Sequence, residues 1–93
     1  MKSGDYILTA EERLQNEGYS DIVLFSNYSY DDALIGVTED GRAVYDFDKM
    51  VAWVVKEHGF EQTEAIDWIC YNTIRALPYE GDEAPIIMYP LGD

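Results

Sequence analysis

From Tyr45 to Pro78 the apolar positions recur at the three-and-four spacing of helices that bury one side. Phe47, Met50, Val51, Val54 and Val55 make the first stripe. Asp46 stands where its carboxylate can accept a free first-turn amide, and Asp48 adds negative charge where the helix dipole favours it. Gly59, following Lys56 and His58, ends that helix, because glycine enters the left-handed conformation without penalty. The pattern then restarts at once. Glu61 and Glu64 fall in a new first turn, Phe60 can pack back on Ala65, and Ile66, Ile69, Cys70, Thr73, Ile74 and Leu77 form an inner stripe that Pro78 ends. So short a turn makes the two helices antiparallel or strongly angled neighbours. Trp53 and Trp68 fall off these stripes by roughly a third of a turn or more. Trp68, Asn72 and Arg75 share the face opposite Ile66 and Ile74. Either the second helix is covered on two sides, with Trp68 under the C-terminal segment, or Trp68 and Arg75 form an exposed contact patch of types enriched at binding hot spots.

The remaining pattern predicts short elements around this pair. Residues 4 to 17 read as a helix with Tyr6, Ile7, Ala10 and Leu14 on one side, Ser3 as cap and Gly18 as stop. Ile22 to Phe25 reads as a strand buried on both faces, and Ser26 to Asp32 as a polar loop. Ala33 to Thr38 and Arg42 to Tyr45 flank Asp40-Gly41, a strong hairpin signal, with Ala33, Ile35 and Val37 alternating onto one face. Tyr79 to Ala84 is an acidic loop. Pro85 to Tyr89 is a last strand, bounded by prolines as suits a sheet edge. The expected fold is one α+β domain over residues 1 to 93, a small, mainly antiparallel sheet packed against a helical hairpin, in the order α-β-β-β-α-α-β.

Composition sharpens this. Ninety-three residues support one modest core. The content of aliphatic and aromatic residues is too high for a disordered acidic tail. The single cysteine excludes an internal disulfide and suits a reducing compartment. The segment MKSGDYILTAEERL lacks a signal-peptide core and no run reaches membrane-span length, so the expected location is the cytoplasm.

Catalytic chemistry finds little to work with. His58, at a helix C-terminus, reads as structural, and Cys70, on the inner stripe, reads as a small core hydrophobe. No His and Cys pair has metal-ligand spacing, no glycine-rich phosphate loop occurs, and Asp40-Gly41 lacks the flanking ligands of a calcium loop. With nineteen acids some carboxylate pair will always look catalytic. The expectation is no enzyme, no cofactor and no metal.

Charge is the strong clue. Nineteen acids against six bases leave a net charge of −13. This repels nucleic acid and anionic membrane, and favours either a basic protein partner or merely high solubility. The acids gather in three places: Asp31 and Asp32 beside Tyr28 and Tyr30, Glu39 and Asp40 at the hairpin tip, and Glu80, Asp82 and Glu83 in the last loop. These residues, with Trp68 and Arg75, are the candidate partner-binding set, the alternatives being ordinary half-buried loop packing for Tyr28 and Tyr30 and solvated surface for the acids. A compact chain of this length is about 30 Å across, and duplex DNA carries roughly 18 charges over that distance. Thirteen net charges on one face would approach that density; spread evenly they would not.

The runs DDALIGVTEDGRAVYDFDKMV, EAIDWICYNTIRALPY and EAPIIMYPL resemble a group of small, acidic, uncharacterised proteins of gut Firmicutes and their phages or mobile elements. The resemblance covers about residues 30 to 91, with the first helix a weaker match. It implies a bacterial, cytoplasmic setting and supplies no site residues. The expected function is a non-enzymatic acidic protein-interaction or accessory module, with homo-oligomerisation through edge strand 85–89 or Trp68 as one mode. The alternative is a nucleic-acid-mimicking inhibitor of a host DNA- or RNA-binding defence protein, of anti-restriction or anti-CRISPR type.

Overall fold

The computed structural model describes residues 8–91. It contains α1 (Ala10–Asn16), β1 (Leu34–Val37), β2 (Ala43–Asp46), α2 (Phe47–His58), α3 (Gln62–Ile69) and β3 (Ile86–Met88), with single 3-10 turns at Asp31–Ala33 and Leu77–Tyr79. The α+β class stands as the pattern predicts, with the helical pair in place.

That pair is built from local signals. The Asp46 side chain accepts from the Lys49 amide at 3.1 Å, and Gly59 takes φ 72° as its amide donates to the Val55 carbonyl. Glu61 and Glu64 form a reciprocal capping box ahead of α3. Beyond Ile69 the coil widens into a π-helical turn, Cys70–Ile74, closed by the Arg75 amide on the Cys70 carbonyl at 3.2 Å. Ala65, Ile69 and Thr73 form the buried line of this helix, while Cys70 is exposed. The expected inner position of Cys70 is therefore wrong: the helix is rotated to turn its Trp68 side inward, which carries Cys70 outward.

The sheet has the order β1-β2-β3. β1 and β2 pair antiparallel across the Glu39–Gly41 turn, and β3 joins β2 in parallel after the helical crossover, with Val44 opposite Ile86 and Asp46 opposite Met88. Ala43 and Tyr45 face the core from β2. On β1 the expected alternation fails. A bulge between Leu34 and Gly36 leaves Leu34 buried and Ile35 42% exposed, because an irregular pair re-aims the side chains beside it.

Three other expectations also need correction. The first helix starts at Ala10, not at residue 4: Thr9 caps it in a box with Glu12, and Leu8 and Thr9 are outside it. Ser3, Tyr6 and Ile7 lie outside the described residues. Ile22–Phe25 is not a strand: among the described residues the sheet consists of β1, β2 and β3, and the segment pairs with neither of its open edges. The loop after it is not simply polar, since Tyr30 sits fully buried at its end.

Candidate functional site

The arrangement of β-strands decides where the acids lie. In the antiparallel β1–β2 pair, Val37 faces Ala43 at the turn and Leu34 faces Tyr45 at the other end. Parallel pairing of β2 with β3 brings the start of β3 alongside the start of β2. The hairpin tip and the 80–84 loop therefore share one end of the sheet. Arg42 ties them together, its Nε donating to the Ala84 carbonyl at 2.9 Å. Glu39 and Asp40 on the first of these segments and Glu80, Asp82 and Glu83 on the second are all exposed. The tip is ordered from within: Thr38 donates its hydroxyl to Asp40 Oδ1 and accepts the Arg42 amide at 2.9 Å.

Asp31 and Asp32 precede β1 and so lie at the opposite end of it. Asp31 is committed inside the chain. Its Oδ1 accepts the Ala10 amide at 2.8 Å, its Oδ2 accepts the Ser29 hydroxyl at 3.0 Å, and its carbonyl accepts from Arg13 Nη1 at 2.9 Å. Asp32 sits 3.9 Å from Lys56 in an exposed pair worth little in itself. The seven candidate acids thus divide between two ends rather than forming one continuous face.

The tyrosines of the loop are structural. Tyr30 is fully buried and shares a hydrogen bond of 2.6 Å with Thr73, so it is withdrawn from any contact surface. Tyr28 lies between two parallel rings, His58 at 4.0 Å and Trp68 at 3.9 Å, each tilted by only 8°. The half-buried Trp68 is therefore covered by the 26–30 loop, not by the C-terminal segment, and its stacked face is unavailable to a partner. Asn27 fastens the same loop by donating to the Asn72 carbonyl at 3.0 Å. Arg75 stays exposed, 5.6 Å from the centre of the Tyr71 ring. The stack itself was not anticipated. The signal for it was two tryptophans off their stripes, each needing a cover, with an aromatic loop upstream to supply one.

Burial raises the Tyr30 hydroxyl to about 12, against the lowering effect of its bond to Thr73. Desolvation likewise lifts Tyr45 to about 12, tempered by the nearby Phe25 backbone amide. That amide approaches without completing a hydrogen bond, so the Tyr45 hydroxyl is buried and unpartnered. Every described Asp, Glu, Lys, Arg and His is at least partly exposed, and no described group of His, Cys, Asp and Glu could hold a metal. Among the described residues no helix is long and apolar enough to cross a membrane.

Two half-open clefts flank α1. The larger, about 640 Å³, runs between α1 and the segment 19–31 and is lined by Ala10, Leu14, Ile22, Leu24 and Phe25, with Glu11, Asp21 and Asp31 as its charged members. The smaller, about 390 Å³, lies between α1 and β1 beside Arg13 and Leu34. Both have mixed polar and apolar linings without converging buried titratable groups. No protein-family model, curated protein or solved structure matches the chain.

Proposed function

We propose that the chain is a non-enzymatic, acidic protein-interaction module that engages a basic protein partner through the Glu39, Asp40, Glu80, Asp82 and Glu83 end of its sheet. The supporting observation is the Arg42 to Ala84 hydrogen bond, which holds two acidic runs distant in sequence at one end of the molecule. Carboxylates fixed on ordered turns meet Lys and Arg at lower entropic cost than carboxylates on free loops. A bacterial, cytoplasmic setting is part of this proposal, and its support is the resemblance noted above. A nucleic-acid decoy is the lesser reading. The molecule measures 36 × 35 × 30 Å, and duplex DNA of that length carries roughly 21 charges, whereas five carboxylates sit at this end.

The test is capture from bacterial lysate at low and high salt, with wild type and with the E39Q/D40N/D82N/E83Q variant. A basic protein retained at low salt, released at high salt and lost with the variant is the expected result. Capture that ignores both salt and the four substitutions would remove the acidic end from the interaction. Competition of that capture by duplex DNA would favour the decoy.

A further inference from the structure

Ile22–Phe25 has the composition of a buried strand, yet it belongs to no sheet. Among the described residues, the backbones of Ile22, Val23 and Leu24 make no hydrogen bond, and the Phe25 amide only approaches the Tyr45 hydroxyl. Three successive peptide groups are thus left with free donors and acceptors while their side chains are half-buried. In the half-exposed free chain water can complete these groups, and an extended strand laid alongside would complete them as a ladder does. The segment is anchored at its far end, where Phe25 is packed against Tyr30 and Tyr45, and it is preceded by Asp21 at a left-handed φ of 64°. It also forms one wall of the 640 Å³ cleft, whose other wall is α1.

We propose that Ile22–Leu24 is a docking edge on which an extended, lysine- or arginine-bearing peptide of a protein partner pairs its backbone, lying in the groove against α1. Backbone pairing would give the affinity, while Ala10, Leu14 and Leu24 would receive alternate apolar side chains. The charge of the groove selects the occupant. Its charged lining is Glu11, Asp21 and Asp31 with no Lys or Arg, and Asp31 is already satisfied inside the chain, so Glu11 and Asp21 remain to meet cations. A second copy fits poorly, because it brings another net charge of −13 and the same acids to the same edge. The groove lies beside Asp31, away from the acidic sheet end, so this proposal does not depend on that one.

The probe is a fluorescein-labelled octapeptide alternating lysine with valine, with a glutamate–valine peptide as control, added to the full chain. Binding is read by anisotropy and amide hydrogen exchange by NMR. The lysine peptide is expected to bind, more weakly at high salt, and to slow exchange at the Ile22, Val23 and Leu24 amides, which exchange fast in the free protein. E11Q/D21N, with asparagine chosen because it tolerates the left-handed backbone at position 21, should weaken binding roughly threefold to tenfold. Leu24→Lys should abolish it while the helical circular dichroism is retained. If Leu24→Lys fails to fold, the double variant carries the test. Four results would overturn the proposal: no binding of the lysine peptide, equal binding of the glutamate peptide, binding that leaves those three amides unchanged, or amides already protected in the free chain.

Discussion

The α2–α3 hairpin and the segment Tyr19–Ala33 share one core but are held in opposite ways. Each end of the hairpin is closed by residues within a few positions: Asp46 on Lys49, Gly59 on Val55, Glu61 with Glu64. The segment has a single 3-10 turn and is fastened by partners far along the chain. Tyr30 reaches Thr73, Asn27 reaches Asn72, and Asp31 reaches Ala10. Many small local devices stabilise the hairpin, so that no single one is decisive. A few side chains hold the segment, and each carries a large share. Substitutions should therefore be tolerated in the first region and costly in the second.

The largest expected effect is at Tyr30. Its ring is fully buried, with Phe25, Tyr28, Tyr45 and Trp53 rings at 5.5 to 6.3 Å. Tyr30→Ala removes that contact and leaves the Thr73 hydroxyl unpaired, so urea unfolding should show a loss of about 3–5 kcal/mol. A loss below about 1 kcal/mol would mean that the ring does not anchor the segment, and the contrast between the regions would collapse.

Alkaline titration tests the same aromatic centre without substitution. Tyr30 and Tyr45 are raised from 10.0 to about 12 in the fold. The native state then holds protons that the unfolded chain has released between these two values. Their contribution to stability is fully present below pH 10 and is lost as pH climbs toward 12, at roughly 1.4 kcal/mol per tyrosine per pH unit. Tyr45→Phe should halve this slope. At neutral pH it should stabilise the fold by about 1 kcal/mol, because the hydroxyl it deletes is buried without a partner. Unfolding followed from pH 8 to 12 would show no steepening above pH 10 if these hydroxyls were solvated.

Third in size is Asp31→Ala, which strips the Ala10 amide and the Ser29 hydroxyl of their acceptor. A cost of about 2 kcal/mol is expected, with faster amide exchange in α1 than in α2. Equal exchange in both helices would show that α1 is seated by its apolar contacts alone.

This difference also explains what could be read in advance. Asp46, Gly59 and the Glu61–Glu64 box act through their own neighbours, so spacing in the sequence reports them directly. The Asp40-Gly41 turn was legible for the same reason. The bulge at β1, the outward turn of Cys70 and the missing ladder at Ile22–Phe25 are decided by partners that local spacing does not reveal. Ile22–Phe25 reads as a strand because its side chains suit one, but a strand also needs a ladder, and this segment lies across a cleft from α1 and joins neither open edge of the sheet. Of the candidate surface, the five acids on the hairpin tip and the 80–84 loop lie at one end of the sheet. Tyr28, Tyr30 and Trp68 are taken up by packing within the chain, because aromatic residues in a loop are as suited to covering an off-stripe tryptophan as to meeting a partner.

The smallest expected effect is in the hairpin itself. Gly59 joins α2 to α3 at φ 72°, and a methyl group built there meets nothing within 4 Å. Gly59→Ala therefore creates no clash and imposes only the backbone cost of a left-handed alanine, about 1 kcal/mol. Local capping on either side, by Val55 and by Glu61 with Glu64, should keep both helices intact, so urea unfolding should move slightly and helical circular dichroism not at all. If this single methyl cost as much as the loss of the Tyr30 ring, the hairpin would depend on one joint as the neighbouring segment depends on one ring. The two regions would then differ in appearance but not in the way their stability is distributed.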